Sequence, residues 1–440
     1  MKKSIRIGSG AGFSGDRIEP ALILTEKGNL DYLVLECLAE RTIALAQKQK
    51  QINPSLGYDP LLERRIEGLL PLLVKHRTRL VTNMGAANPL AAGNKIIEIA
   101  KKQGLKVKVA VVLGDDVLSL LDPEENCLET GLPLQSHGKI VSANAYLGID
   151  ALLPALQSEA DIILTGRVAD PSLFLAPMVH EFSWDSNNPV LMGKGTVIGH
   201  LLECAGQITG GYFADPVSKP VDGLENLGFP FADILDNGTA TISKVPGTGG
   251  KVSVQTAKEQ ILYEVIDPGN YITPDVVADF KEVTIDQIEN DTIQISGGSG
   301  KSKPEKLKVS VGYEAGFVGE GEISYAGANA LTRAKLAGVI IEKRIGHLYP
   351  EFRIDYIGLN SLHGTDFGNV TTPYEIRLRV SGKSKDQKTA ALIGEEVEAL
   401  YTNGPAGGGG ARKSVRELLG VVSVLMDRNK VKTTFEILES

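Results

Sequence analysis

The sequence predicts an α/β protein with two parts. Residues 1–230 are expected to form a mostly parallel sheet with covering helices, and residues 231–440 a second, mixed α/β domain. Short apolar runs alternate with amphipathic segments in the first part, which is typical of parallel strands joined by helices. After residues 228–233 the pattern changes to strands in which polar and apolar residues alternate. The 440 residues are enough for two domains of ordinary size.

The elements follow from apolar runs and their flanking breakers. Strands are predicted at residues 4–7, 32–35, 79–82, 107–113 and 161–165, with helices at residues 89–104 and 145–159. In the second part, strands are predicted at residues 239–245, 292–296, 307–315, 353–357 and 375–381, with helices at residues 253–265, 328–346 and 385–401. The strands at 292–296 and 307–315 are expected to pair around the loop GGSGKSKPEK. We expect the tail, residues 404–440, to complete the main fold.

Composition restricts the classes of function. The net charge of −8 argues against a nucleic-acid partner, and no apolar stretch is long enough to cross a membrane. The three cysteines, Cys37, Cys127 and Cys204, match no disulfide or metal framework, and the N-terminus has no apolar run typical of a signal peptide. We therefore expect a cytoplasmic protein, and a homo-oligomer by default for an enzyme of this size.

The segment GTVIGHLLECAGQITGGYFAD, residues 195–215, carries the strongest site signal. His200, Glu203, Cys204 and Gln207 follow one another at helical spacing and are predicted to share one face. We interpret His200 and Glu203 as acid–base or metal-binding groups and Gln207 as a substrate contact. Cys204 is a less favoured nucleophile, because free cysteines in apolar helices are usually inert core residues.

Polar residues also follow three predicted strands, where an open parallel sheet binds its ligands. Arg167 is predicted to clamp a carboxylate or phosphate, with Asp170 as its orienting partner and a third candidate catalytic residue; a purely structural ion pair is the alternative. Asn83 and Asn88 are predicted to bind substrate, although Asn88 is equally suited to cap a helix. Asp115 is a candidate metal ligand, as is Glu203, and a helix cap is its alternative role.

A glycine motif follows the first predicted strand. Gly10, Gly12 and Gly15 form GxGxxG, which in dinucleotide-binding folds lets the backbone approach a phosphate, and Glu36 would then bind a ribose. The negative charge of Asp16 and the short following helix weigh against this. We favour a turn in which Gly10 and Gly12 line a different active site, with a nicotinamide or flavin site as the alternative.

Two weaker candidates lie in the second part. His363 and Asp366 follow a strand and are expected to reach a cleft. The glycines at residues 407–410, followed by Arg412 and Lys413, form either an anion-binding nest or a flexible loop.

Taken together, these motifs resemble the acyclic terpene utilisation family, AtuA. The resemblance extends over most of the chain and rests on GSGAGFSGDRIEPA (residues 8–21), DYLVLECLAERT (31–42), TNMGAANP (82–89), ANAYLGID (143–150), TGRVADPS (165–172) and HLLECAGQITGGYFAD (200–215). The resemblance implies a role in the catabolism of acyclic terpenes such as citronellol and geraniol, whose acids are processed as CoA thioesters. It also implies hydratase or lyase chemistry, without specifying catalytic residues.

We therefore expect a catabolic enzyme acting on a small carboxylic acid or acyl-CoA thioester. In this hypothesis Arg167 binds the carboxylate, His200 and Glu203 move protons, and Asn83 with the amides of residues 10–15 stabilises an enolate-like oxygen. One alternative is an NAD(P)-dependent oxidoreductase. Another is a non-catalytic partner of an acyl-CoA carboxylase system. The sequence leaves any cofactor or metal requirement open.

Overall fold

A computed structural model of the chain describes residues 2–364 and 373–440. The helices in these ranges are α1 (Glu19–Lys27), α2 (Glu40–Ile52), α3 (Leu62–His76), α4 (Pro89–Gln103), α5 (Ile149–Gln157), α6 (Asp170–Phe182), α7 (Pro189–Glu203), α8 (Val254–Leu262), α9 (Ala330–Ile345) and α10 (Gln387–Asn403).

The strands in the same ranges are β1 (Ser4–Ala11), β2 (Tyr32–Leu35), β3 (Arg79–Thr82), β4 (Lys108–Leu113), β5 (Ile140–Ala145), β6 (Ile162–Leu164), β7 (Pro230–Leu235), β8 (Ala240–Lys244), β9 (Tyr271–Ile272), β10 (Val277–Asp279), β11 (Thr284–Glu289), β12 (Thr292–Ser296), β13 (Ser299–Lys301), β14 (Lys306–Ala326), β15 (Glu351–Ile357), β16 (Glu375–Ser384), β17 (Gly409–Asp427) and β18 (Thr434–Glu439).

The largest sheet has the strand order β11-β12-β8-β7-β1-β2-β3-β6-β4-β18. Its centre, from β1 to β4, is parallel, and antiparallel strands extend it on both sides. The central strands are almost entirely apolar and buried, as expected for parallel strands covered on both faces. The predicted α/β class with a mostly parallel N-terminal sheet is confirmed.

The chain divides into two compact units that are discontinuous in sequence. Unit 1 comprises residues 1–134, 141–312 and 421–440, and unit 2 comprises residues 135–140 and 313–420. This division does not fall at residue 230, because β7, β8, β12 and β11 continue the sheet of β1 instead of starting another domain.

In unit 1, helix α7 is buried on nearly all sides. It packs against α6, α8 and the small sheet of β13, β10 and β9. A helix that is apolar all round belongs in a core, so a polar residue at its end is held in place by many neighbours. This environment fixes the position of Glu203, the last residue of α7.

Unit 2 contains a sheet formed by β15, β16, residues 313–326 of β14 and residues 409–420 of β17, in which β16 pairs antiparallel with both β15 and β14. Along β16, Ile376, Leu378 and Val380 are buried, whereas the intervening Arg377 and Arg379 make ion pairs on the other face. The buried face packs with α9 and α10 in one hydrophobic cluster. The predicted alternation of this strand is thus the pattern of a sheet covered on one face.

Two predicted features of the strand pattern are wrong. Strand β12 pairs with β11 and β8, and does not pair with the strand after the GGSGKSKPEK loop. That loop instead contains β13, which pairs with β10. The helix predicted from residue 145 begins only at Ile149, because β5 extends through Ala145 and residues 146–148 connect the strand to the helix.

No helix in the described ranges is long and apolar enough to cross a bilayer.

Candidate functional site

A cavity of about 970 Å³ lies in unit 1, beside the carboxyl ends of β1, β2 and β6. Three loops that follow these strands line it, together with the end of α7 and the residues around β9 and the start of β14. Ligands of open α/β sheets bind at this end of the strands. The cavity is therefore the best candidate site in the described part of the chain.

The pair of His200 and Glu203 lies at the end of α7. His200 Nδ1 is 2.7 Å from Glu203 Oε1, and the imidazole packs against the rings of Tyr271 and Phe280. Glu203 lines the cavity, whereas His200 lies behind it. Burial raises the pKa of the Glu203 carboxyl to about 7; His200 opposes the rise, and Asp170 adds to it. Glu203 is thus a carboxyl that exchanges protons near neutral pH.

The guanidinium of Arg167 is buried and fully engaged with protein groups. It donates to the carbonyl oxygens of Val168 and Leu38 and to the carboxylate of Asp170. Tyr146 covers it, with its ring centroid 4.6 Å from the guanidinium carbon. Burial raises the pKa of Asp170, and Arg167 opposes this rise. The buried positive charge is therefore matched by Asp170, whose partly exposed side chain lines the cavity.

Glu36, directly after β2, is a third carboxyl of the cavity wall. Its Oε1 accepts hydrogen bonds from the Leu38 amide at 2.8 Å and from Asn83 Nδ2 at 2.9 Å. Burial, with a contribution from nearby Asp170, raises the pKa of Glu36 well above its ordinary value, against the effect of Arg167. Glu36 and Glu203 are thus both held closer to their protonated forms than a carboxyl in water.

Glu40 behaves in the opposite way. It accepts a hydrogen bond from the Tyr146 hydroxyl, and Lys308 Nζ lies 3.3 Å from the same oxygen. Burial alone would raise the pKa of Glu40, but these donors, with the charge of Arg167, lower it to about 2. Glu40 is therefore a fixed negative charge at neutral pH.

Much of the remaining cavity wall is apolar or aromatic. The lining includes Leu227, Phe229, Tyr263, Tyr271, Ile272, Val277, Leu307 and Leu425. Some of these side chains are exposed to solvent; Ile272 is 70% exposed and Tyr212, also in the lining, 88%. Apolar side chains that line a cavity and remain exposed mark a surface suited to an apolar ligand.

The glycine motif does not form a phosphate cradle. Strand β1 continues through Gly10 to Ala11, and a Cβ on Gly10 would lie 2.6 Å from Leu35 inside the core. The next loop is closed by Asp16, whose carboxylate accepts hydrogen bonds from the amides of Gly12 at 2.6 Å and Phe13 at 3.3 Å. The backbone donors that a phosphate would need are already used by a carboxylate.

A family model provides the independent comparison. The model described as acyclic terpene utilisation family protein AtuA matches residues 5–437. The chain belongs to the AtuA family. This membership fits a role in acyclic terpene utilisation. Comparisons with curated proteins and with solved structures give no match.

Several of the residues proposed from the sequence line the AtuA cavity together. They are Gly12, Arg167, Asp170, Glu203 and Gln207. Gln207 lies beyond α7, which ends at Glu203, and it belongs to a short 3-10 turn. The predicted single helical face is therefore wrong for Gln207, because the helix does not continue through Cys204, its C-cap residue.

Other proposed residues lie outside the cavity lining and have structural partners. Asn83 is buried between Glu36 and the Cys37 amide, which donates to its Oδ1 at 2.7 Å. Asn88 caps α4 and donates to the carbonyl oxygens of Pro54 and Leu56. Asn88 thus serves as the cap of α4, and Asn83 holds Glu36; substrate binding by either residue stays a prediction.

Asp115 likewise lies behind the cavity. It accepts hydrogen bonds from the Arg167 amide and from Asn144 Nδ2, both at 2.9 Å, and burial raises its pKa to about 6. Within the described residues, no three His, Cys, Asp or Glu side chains converge in a way that could hold a metal ion. Among the described residues, Asp115 and Glu203 therefore belong to no such group.

The remaining candidates are Cys204 and the residues proposed in the second half of the sequence. Burial raises the pKa of the Cys204 thiol, which disfavours the thiolate that a nucleophile requires. Gly409 and Gly410 begin β17. Asp366 lies outside the described residues.

Sequence reasoning missed Glu40 and Tyr146 and gave Glu36 only a ribose-binding role. A signal was present, since Glu36 and Glu40 follow β2 in the motif DYLVLECLAERT. The rule that polar residues after parallel strands form sites was applied to the ends of β3, β4 and β6. Applied to β2, it would have included both glutamates.

Proposed function

We propose that this AtuA-family chain is an enzyme that transfers a proton on an apolar carboxylic acid or its CoA thioester. The reaction class is hydration, dehydration or a related lyase reaction in the breakdown of acyclic terpenoid or branched acids. Family membership supports the pathway, and the cavity supports the chemistry.

Glu203 is the observation on which the proposal depends. A carboxyl with a pKa of about 7 is half ionised at neutral pH, which is the condition under which a general base is both available and strong. Its Oε1 is held by His200, and its Oε2 is buried without a hydrogen-bond partner among the described residues. In the proposal, Glu203 removes a proton from the carbon next to the substrate carbonyl, and His200 positions it.

The lining supports the substrate class. Its aliphatic and aromatic side chains suit a hydrocarbon chain, and 970 Å³ is enough for a molecule larger than a simple acid. Lys306 also lines the cavity, and no ion pair of Lys306 occurs among the described residues. A cation of this kind suits the phosphates of a CoA ester.

Arg167 is not assigned to a substrate carboxylate in this proposal. Its guanidinium already donates to Leu38, Val168 and Asp170, so a bidentate bond to a second carboxylate would compete with these bonds. We assign Arg167 to electrostatic control of the neighbouring carboxyls.

The dinucleotide alternative has less support, because Asp16 occupies the loop amides. A thermal-shift titration with NAD(H), NADP(H) and flavins tests it directly, since a ligand of the native state raises the melting temperature. Stabilisation by one of these compounds would favour an oxidoreductase.

The deciding experiment is hydrogen exchange in D₂O. The CoA thioesters and free acids of citronellol- and geraniol-derived chains would be incubated with the protein, and deuterium uptake followed by mass spectrometry. We expect uptake next to the carbonyl with the native chain and its loss in Glu203→Gln. Glu26→Gln, which removes an exposed carboxyl outside the cavity lining, is the control and should retain exchange.

Absence of exchange and turnover with every compound would contradict the proposal. Co-purification of such an inactive chain with acyl-CoA carboxylase subunits would instead favour the non-catalytic partner hypothesis.

A further inference from the structure

We propose that Glu36 is a second catalytic residue, a neutral carboxylic acid that protonates the hydroxyl leaving the substrate. This inference rests on the proposed function, because it supplies the proton donor that dehydration requires in addition to the base Glu203. It also narrows the substrate class to 3-hydroxyacyl compounds and their unsaturated products.

Two hydrogen bonds to one carboxyl oxygen fix the orientation of Glu36. Both of its hydrogen bonds are accepted by Oε1, from the Leu38 amide and from Asn83 Nδ2. The orientation of the Asn83 amide is fixed in turn, because its Oδ1 accepts from the Cys37 amide at 2.7 Å. Asn83 must therefore present its NH₂ group to Glu36. This arrangement leaves Oε2 as the oxygen that carries the proton.

The second argument is position. Glu36 is only 7% exposed, yet it belongs to the cavity wall. Among the described residues, no hydrogen bond to its Oε2 is found, so a hydroxyl there can be offered to a ligand. A buried, protonated carboxyl with a free O–H is a strong hydrogen-bond donor and a proton source.

The third argument is the contrast with Glu203. Asp170 interacts electrostatically with both carboxyls, while Arg167 favours ionisation of Glu36 and His200 favours ionisation of Glu203. The pKa of Glu36 is raised well above its ordinary value, mainly by burial, and that of Glu203 to about 7. Two carboxyls in one cavity that are set by different neighbours can divide the roles of acid and base between them.

Glu203 takes the proton from the carbon next to the carbonyl, and the electron pair of that C–H bond becomes the new C=C bond. The bond from the neighbouring carbon to the hydroxyl breaks, and its electron pair leaves on oxygen. That oxygen takes the proton of Glu36 and departs as water. Glu203 has gained one proton and Glu36 has lost one, and hydration is the reverse.

The test compares Glu36→Gln with Glu36→Ala on the CoA thioester of a branched 3-hydroxy acid. Glutamine keeps a hydrogen-bond donor but has no proton to transfer. Glu36→Gln should therefore retain deuterium exchange next to the carbonyl while its elimination rate falls by about 10²- to 10⁴-fold, the usual contribution of a general acid. Glu36→Ala should reduce both. Glu26→Gln, at an exposed position outside the cavity lining, is again the control, and thermal melts followed by circular dichroism check folding.

Infrared spectroscopy gives a readout that does not depend on turnover. At neutral pH the native chain should show the carbonyl absorption of buried protonated carboxyls, to which Glu203 also contributes. The difference spectrum between the native chain and Glu36→Gln should contain one lost protonated-carboxyl band. Two results would contradict the role of Glu36 and leave the proposed function intact. One is elimination by Glu36→Gln at the rate of an active native chain, and the other is an infrared carbonyl band that is unchanged in Glu36→Gln. If the native chain shows neither exchange nor elimination, the proposed function fails, and the inference fails with it.

Discussion

His200 Nδ1 lies 2.7 Å from Glu203 Oε1, while His200 Nε2 and Glu203 Oε2 are buried without hydrogen-bond partners in the described residues. This contact is therefore the hydrogen bond that each of the two side chains has among the described residues at these atoms. His200 opposes the rise that burial imposes on the pKa of Glu203. Any change at His200 should consequently be visible in the titration of Glu203.

We expect His200→Gln to move the acid limb of the exchange reaction to higher pH. Glutamine lacks the imidazole whose interaction lowers the pKa of Glu203, so that pKa should rise above about 7. The deuterium-exchange rate measured between pH 5 and pH 9 checks this. His180→Gln, outside the cavity lining, should leave the profile in place, and an unchanged limb in His200→Gln would contradict the proposed coupling.

Asp275→Asn should stabilise the protein at alkaline pH. Asp275 accepts hydrogen bonds from the Ile149 amide and the Ser172 hydroxyl, and burial raises its pKa from 3.8 to about 6. Between these values the folded chain binds more protons than the unfolded chain, so stability falls as pH rises through this window. Asparagine avoids that loss, which amounts to about 3 kcal/mol at pH 8.

Urea denaturation at pH 4 and pH 8 measures this effect. The advantage of Asp275→Asn should be large at pH 8 and small at pH 4, where aspartate is protonated in the folded chain and only about half ionised in the unfolded chain. Asp236→Asn, at an exposed position, should show no pH-dependent gain. Equal stability of Asp275→Asn and the native chain at pH 8 would refute this assignment.

Gly12→Ala should displace the backbone near Cys204 and thereby disturb the candidate site. A Cβ at Gly12 would lie 2.5 Å from the carbonyl carbon and 2.6 Å from the Cα of Cys204, so the two segments must separate. We expect a loss of about 1–3 kcal/mol in the free energy of unfolding, together with reduced exchange activity, because Cys204 adjoins Glu203. In Gly409→Ala the added methyl has nothing within 4 Å, and stability should hardly change.

Asn88→Asp separates capping from ligand binding. Aspartate can still cap α4, but it cannot donate to the carbonyl oxygens of Pro54 and Leu56. We expect a loss of about 1–3 kcal/mol in unfolding free energy from the unsatisfied carbonyls, with unchanged substrate affinity. Calorimetric titration with the best exchange substrate tests the second part. A marked loss of affinity in a stably folded variant would restore Asn88 as a binding residue.

The sequence was most informative where local pattern alone decides structure. The bounds of β2 and β3 match the prediction, because their short apolar runs are flanked by polar residues or breakers. The i, i+3 spacing likewise placed His200 and Glu203 on one helical face, where they form a hydrogen bond. Both features are determined by residues that are close together in the sequence.

The other contacts of the site depend on the order of the strands in the sheet, which cannot be predicted from the local sequence pattern. Glu36 and Asp170 interact because β2, β3 and β6 are adjacent in the sheet, although they are distant in the sequence. The same limit explains why Arg167 was interpreted as a substrate clamp. Its partners include the Leu38 carbonyl, which only the assembled sheet brings to it.

Strand β18 has a consequence for synthesis of the chain. It pairs with β4 at the edge of the large sheet. Beside this pair, the Val107 amide donates a hydrogen bond to the Ser440 hydroxyl, which lies 333 positions further along the sequence. During translation β4 therefore leaves the ribosome long before its partner exists, with one edge open to other chains. We expect nascent chains to be most prone to aggregation in this interval, and a peptide with the sequence of residues 428–440 to suppress it in chains stopped before β18.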